Sequence, residues 1–242
     1  MIIPTYNRAS TIGATLDSAL SQTYRALEIL VVDDGSTDDT QEVLAAFSQD
    51  IINIRQVNRG VAAARNAGIH RSRGSIVMSL DSDDLWFPQT VETQVDVLEA
   101  AGRAVPCVMC NLTISNGDGN DVAMFTERKL RPQYSEGLWT NVQDVLTTRF
   151  LWTNQTLAIR REVLEVIGLF DESLWVMEDF DLAMRLSTLG PWAYTTQTLA
   201  IRHGGSPYSL TELAQRDRKR LNATLLAICR KMQADDVPRS RV

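Results

Sequence analysis

The sequence predicts an α/β domain built on a mainly parallel central sheet with helices packed against it. Three observations carry this. Over the first hundred residues, short near-continuous apolar runs alternate with stretches of helical periodicity, the pattern of βαβ units. Several of those runs, such as "LEILVVDD" and "GSIVMSLDSDD", are near-continuously apolar until they end in acids, as strands buried on both faces do. The chain has 242 residues, 44% of them apolar, enough material for one large core.

Taken in order, "MIIP" is a first strand, unusually short, as it would be in a trimmed chain. "STIGATLDSALSQTY" places Ile12, Leu16 and Leu20 at helical spacing, with Ser10 or Thr11 as N-cap. "LEILVVDD" is the second strand, and "STDDTQEVLAAF" supplies Thr37 or Asp38 as a cap and then a helix. "IINIRQV" is the third strand, and "GVAAARNAGIHRS" an Ala-rich helix after a Gly turn, with His70 near its end and no chemistry expected of it. "GSIVMSL" is the fourth strand. The helix after Pro88 runs to Gly102, where a left-handed cap belongs.

Beyond that helix, "VPCVMCNLTI" is a core strand, and residues 115–150 read as a variable loop region. "LWTNQTLAIRREVLEVIGLFDESL" gives a strand, a short helix and a Gly stop, and "MEDFDLAMRLSTLG" a helix with an acidic start. "WAYTTQTLAIRH" is a late strand. The tail is amphipathic, with Leu213, Leu221, Leu225 and Ile228 on one face, and is expected to pack on the domain or a partner.

The net charge is -6, which disfavours a broad nucleic-acid surface but not a nucleotide ligand, since a metal can supply positive charge. Cys107 and Cys110 form a lone C-x-x-C with no second Cys or His pair beside it, so they read as buried strand residues rather than a zinc or redox site. Free thiols fit a reducing, cytoplasmic setting. No signal peptide and no apolar run of about 18 residues is evident. The expectation is a chain without a transmembrane segment, with peripheral contact at the inner face of the membrane left open.

In open parallel sheets, ligands bind beyond the carboxyl ends of the strands. Three strands deliver polar signatures there: "PTYNR", "DDGSTDD" and "DSDD". Asp81, Asp83 and Asp84 repel one another unless a cation neutralises them, and paired carboxylates one residue apart suit Mg²⁺ or Mn²⁺, which bridges phosphate oxygens. The competing reading is helix capping, which needs one acid or two. Asp33 and Asp34 are expected to point outward at the sheet edge. A carboxylate there can accept the imide N–H of a uracil or thymine ring, and the Tyr6 ring can stack on such a base.

"IIPTYNR", "LEILVVDDGSTDDT", "NRGVAAARNAGI", "GSIVMSLDSDD" and "LWVMEDFDLAMRL" follow one another in an order and spacing that resembles the family 2 glycosyltransferases, over about residues 1–205. The resemblance implies a GT-A fold. Residues 1–104 form a Rossmann-like nucleotide-sugar half, residues 105–205 a smaller acceptor half, and residues 206–242 a helical tail. It also implies a divalent metal, a nucleotide-diphospho-sugar donor and inversion at the anomeric carbon. It puts Pro4, Tyr6 and Asp34 around the base, makes Asp81 and Asp83 the D-x-D element near ribose and metal, and matches Asp179 to the catalytic base. A histidine near His203 completes the metal shell in some relatives, and an imidazole is an acceptable Mn²⁺ ligand.

Arg65 and Asn66 are either a solvated helix face or a support for the donor site behind the D-x-D turn. Trp152, Asn154 and Glu178 are read as lining the acceptor cleft. The Q-x-x-R-W element of processive synthases is absent, so a single addition is expected, with a UDP- or dTDP-sugar as donor and a cell-surface glycan or its lipid carrier as acceptor. Two alternatives stand beside this. A sugar nucleotidyltransferase would want a Gly-rich basic loop after the first strand, which "PTYNRASTIG" lacks. A degenerate nucleotide-sugar-binding module would be expected to lose acids that are all here.

Overall fold

The computed structural model describes residues 1–115, 117, 119–151, 153–203 and 214–233. Four short strands set the edge on which the polar motifs meet. β1 (Ile2–Thr5) is fully buried and pairs in parallel with β2 (Leu30–Asp33), which pairs in parallel with β3 (Ile52–Arg55). On its other side β1 meets β4 (Ile76–Met78) through the parallel bridge Ile2–Ser79, and Leu80 N donates to Ile2 O. All four chains therefore run out at one edge, which is why their C-terminal turns converge.

Helices α1 (Ile12–Leu20), α2 (Thr40–Ala46) and α3 (Val61–Arg71) fill the crossovers. α3 lies so close to β1 that a Cβ on Gly68 would fall 2.6 Å from Ile2 Cγ2, so only glycine fits. His70 is exposed in its last turn.

The sheet continues through β9 (Leu157–Arg160), β6 (Cys107–Ser115), β10 (Trp192–His203) and β5 (Leu85–Trp86), in that spatial order from β4. β9 is antiparallel to β4 and β6, β6 is parallel to β10, and β5 is antiparallel to β10. The sheet is thus mainly parallel, with reversed strands in its second half. α4 (Thr90–Ala100), α7 (Arg161–Ile167) and α8 (Glu178–Leu186) pack around it, and Gly102 follows α4 at φ +90°. Cys107 and Cys110 are wholly buried in β6, and burial pushes both thiols up, which keeps them inert.

Three local expectations are corrected, and Thr11 holds the N-cap position expected of it. Residues 115–150 are not simply a loop: they contain β7 (Val122–Ala123), α5 (Met124–Glu127), β8 (Glu136–Trp139) and α6 (Val142–Arg149). β8 pairs with β10, and Trp139 stacks on Tyr194 at 5.0 Å. These elements are short and mostly half-exposed, so their periodicity is faint.

Thr11 stands at the N-cap of α1, but its hydroxyl donates to Ser82 O and ties the helix to the turn after β4. The N-cap of α2 is Asp39, one residue later than expected, while Asp38 accepts from Thr40 N, Thr40 Oγ1 and Ala9 N. Asp33 does not point outward. It is fully buried and accepts from Ser36 N and Gln41 Nε2, with Arg55 3.4 Å away.

The tail forms α9 (Arg218–Gln233), packed on the domain with Ile228 buried and Leu221 and Leu225 half-buried. Trp175 Nε1 donates to Thr224 Oγ1, the Arg220 guanidinium lies 4.2 Å over the Trp175 ring, and Lys231 pairs with Asp171 and Asp181. Leu213 lies outside the described residues. Among the described residues no helix is long and apolar enough to cross a membrane.

Candidate active site

The turns after β1 and β2 are built as one unit. Asn7, at φ +52°, donates its N–H to Ser36 Oγ and accepts from Thr37 N on its side-chain oxygen. This leaves Tyr6 as an exposed ring on the wall of a cavity of about 620 Å³, beside Pro4 and Asp34. Asp34 is 4% exposed and accepts from Gln56 Nε2, Arg59 N and Gly60 N at 2.8–2.9 Å. Gly60 holds φ +92°, a left-handed conformation that turns its N–H onto that carboxylate. A carboxylate has about four acceptor sites, so Asp34 keeps room for one donor from a ligand.

The turn after β4 is different. Asp81 accepts from Arg65 Nη2 at 2.7 Å, and Asp83 lies 3.4 Å from Arg8 Nε. Asp84 is buried, accepting from Gln155 Nε2 and His203 N. The next helix starts at Thr90, so Asp84 is not its cap but a strut between this turn, β10 and residues 154–156. Burial, and then the charges of Asp81 and Asp83, hold its carboxyl well above the usual range. Asp83 is raised too, by burial and by Asp81, against the opposing pull of Arg8. The turn is short of positive charge.

That shortfall bears on whether a divalent cation fits. Asp81 and Asp83 keep 31% and 25% of their side chains exposed. His203 Nδ1 lies 2.9 Å from Asp83 O. A carbonyl only accepts, so Nδ1 carries the proton and Nε2 keeps its lone pair. Hard oxygen donors with one imidazole nitrogen suit Mn²⁺ or Mg²⁺. Among the described residues no three acidic, His or Cys side chains already converge on one point, so the protein side supplies only part of a shell.

Asp179 enters from the first turn of α8, after Met177 at φ +69°. Its Oδ1 accepts from Phe180 N, and Thr153 Oγ1 lies 3.4 Å from Oδ2. Burial and the neighbouring Glu178 raise its carboxyl to about 7, with Arg65 opposing them.

Arg65 is the hub. It is 2% exposed, which rules out the solvated-face reading, and it donates to both Asp81 and Glu178. Burial pulls its pKa down, but Asp81 and Glu178 outweigh that and hold it firmly charged. Asn66, also buried, bonds Phe170 O, Phe170 N and Glu172.

The cavity thus brings together Pro4, Tyr6, Asp34, Arg65, Asp81, Asp83, His203, Asn154, Glu178 and Asp179. Glu178 is committed inward to Arg65, with 6% of its side chain exposed, so it has little left for an acceptor. Trp152 lies outside the described residues. Sequence reasoning missed Arg8, Arg202, Phe150 and the α9 residues Leu221 and Leu225, all on the cavity wall. Arg8 sits inside the quoted "PTYNR" and could have been singled out. Phe150, which stacks on Phe180 at 5.0 Å, gave no signal.

Residues 1–166 match the family model described as glycosyl transferase family 2. The chain belongs to glycosyl transferase family 2. Among curated members, an uncharacterized glycosyltransferase of Rickettsia prowazekii is 32% identical over 182 residues, covering 75% of this chain and 56% of that one. One from Nostoc is 35% identical, covering 72% and 54%. The succinoglycan biosynthesis protein ExoO of Rhizobium meliloti is 32% identical, covering 75% and 53%. The chain spans about half the length of these relatives.

Two solved structures share the GT-A fold of this family 2 chain. S. aureus TarS 1-349 in complex with UDP has a TM-score of 0.72 at 20% identity, covering 98% of this chain and 65% of that one. Mannosyltransferase PcManGT from Pyrobaculum calidifontis, in complex with GDP-Man and Mn²⁺, has a TM-score of 0.68 at 23% identity, covering 98% and 64%. At such identities the likeness is one of fold.

Proposed function

We propose that this chain is a metal-dependent, inverting glycosyltransferase that adds a single sugar from a UDP- or dTDP-sugar to a hydroxyl of a cell-surface glycan or its lipid carrier. The observation that carries it is the cavity that holds Tyr6, Asp34, the D-x-D turn and Asp179 together. In this reading, the base stacks on Tyr6 beside Pro4 and gives its imide N–H to the open site on Asp34. Asp81 faces the ribose. Asp83, Asp81 and His203 Nε2 would hold Mn²⁺ or Mg²⁺, which when bound stabilises the charge that develops on the departing nucleoside diphosphate. A family member involved in succinoglycan biosynthesis supports the polysaccharide setting.

Asp179 takes the proton from the acceptor hydroxyl as that oxygen attacks C1. No acid is needed for the leaving diphosphate, which distinguishes the site from a glycosidase with two flanking carboxyls. Burial and then Glu178 raise Asp179, Arg65 lowers it, and the carboxyl is left pushed up to about 7, suited to a base. Asn154 and, outside the described residues, Trp152 are proposed to line the acceptor side.

The test is kinetic. Asp179→Asn should lower transfer by about 10²–10⁴-fold while Mn²⁺-dependent UDP binding, read by calorimetry, stays near wild type. Because the ionised form is the base, wild-type turnover should rise with pH through about 7. A variant that turns over at near wild-type rate would place the base elsewhere.

A further inference from the structure

Adjoining Asp179 is a second, small cavity of about 20 Å³. Much of its wall is apolar, Ile2 and Val77 included, but Arg65, Ser79, Thr153 and Asp179 line it too. Two of these polar groups are unmatched: Arg65 Nε and Ser79 Oγ are buried without a hydrogen-bond partner. Ser79 is 9% exposed and Arg65 2%. A buried donor left unpaired is costly, because it has lost its bond to water and gained none, and native proteins satisfy such groups with ordered water where the space allows. One water needs about 10–15 Å³ of this kind of volume and 2–4 polar partners. The cavity meets both conditions.

We propose that this cavity holds one ordered water bonded to Arg65 Nε and Ser79 Oγ, and that through it Ser79 is a positioning residue for the Asp179 carboxylate. The inference rests on the reading of Asp179 as the base. Arg65 bonds Glu178 through Nη1 and Asp81 through Nη2, and Nε is its guanidinium nitrogen left without a partner. The Ser79 hydroxyl can accept from the water or donate to it. Thr153 Oγ1 approaches Asp179 Oδ2 from the same wall. A water that accepts from Arg65 Nε has hydrogens to give, and Asp179 lines the same cavity; in this proposal one of them goes to the Asp179 carboxylate, fixing its rotamer and favouring its charged form. The charged groups acting on Asp179 are Glu178 and Asp81, which disfavour ionisation, and Arg65, which favours it; the Phe180 N–H also favours it. The Ser79 water adds a neutral donor to the weaker side of that balance.

Two measurements test it. A high-resolution crystal structure of the wild-type chain should show one water within hydrogen-bond distance of both Arg65 Nε and Ser79 Oγ, and a dry cavity would overturn the inference. Carboxyl-carbon NMR titration should then show the Asp179 midpoint higher in Ser79→Ala than in the wild type, with kcat down about tenfold to a hundredfold and KM for the donor unchanged. A merely structural serine would leave that midpoint where it is, and an unmoved midpoint would likewise overturn the inference. Ser79→Cys, close in size with a weak donor, serves if the alanine variant does not fold, and should give a smaller shift of the same sign. Asp179→Asn separates the two readings. If it keeps its turnover, the base assignment fails even with the water in place. If it is inactive and the cavity is dry, only the present inference fails.

Discussion

The turn after β2 carries Asp33 and Asp34, and the turn after β4 carries Asp81, Asp83 and Asp84. In sequence they look alike: an apolar run that ends in clustered acids with a serine among or just after them. In the fold they are treated oppositely. Asp33 and Asp34 are met by neutral donors from their own half, Ser36 N and Gln41 on Asp33 and Gln56, Arg59 N and Gly60 N on Asp34, which leave Asp34 one open acceptor site. The second turn sets three carboxylates against cations that are shared or held at a distance. Arg65 is shared with Glu178, Arg8 approaches only to 3.4 Å, and Asp83 and Asp84 are both pushed upward. The difference teaches that acids at a strand end do not by themselves mark a cation site. What marks one is charge that the protein has left uncompensated.

The contrast breaks most completely at Arg65. Arg65→Met leaves Asp81 and Glu178 without their shared cation, and breaking a buried pair from one side costs about 3–5 kcal/mol. Urea unfolding should show that loss, and a loss below about 1 kcal/mol would mean the ion triad is not a structural hub. Asp33→Asn comes next. It keeps the shape but weakens charge-assisted bonds, each worth about 1.5–3 kcal/mol, so the melting temperature should fall while the shift produced by Mn²⁺ with UDP persists.

Asp83→Asn should do the reverse, with the smallest change. Its folded-state pKa lies above the unfolded value, so its favourable contribution is complete only below the unfolded pKa and is lost as pH rises through the folded one. Neutralising it should leave the metal-free protein at neutral pH as stable or slightly more so, within about 1 kcal/mol, and abolish the Mn²⁺-dependent shift. If Asp33→Asn and Asp83→Asn behave alike in a thermal-shift assay, the distinction between the two turns is wrong.

Much of this was legible before any coordinates. Short, near-continuous apolar runs report strands because burial on both faces leaves few polar positions, and "LVV" within β2 and "CVMCNLTI" within β6 are strands for that reason. Residues 115–150 were not legible, since β8 and α6 expose alternate positions and draw their order from neighbours such as Tyr194. Motif order alone nominated Asp34, Asp81, Asp83 and Asp179, and all four line one cavity. It could not name the partner of Glu178, which is Arg65, 113 residues earlier.

The sequence by itself determined the strand and helix alternation, the edge at which the polar turns gather, and which acids stand on that edge. These are local properties, written in periodicity and spacing. The tertiary structure alone decided what each acid does. Whether a carboxylate is saturated, shared or left charged depends on donors brought from distant segments: Gln155 and His203 for Asp84, Arg65 for Asp81 and Glu178, α9 for the cavity wall. Electrostatic environment is a sum over neighbours in space, and spacing along the chain does not contain that sum.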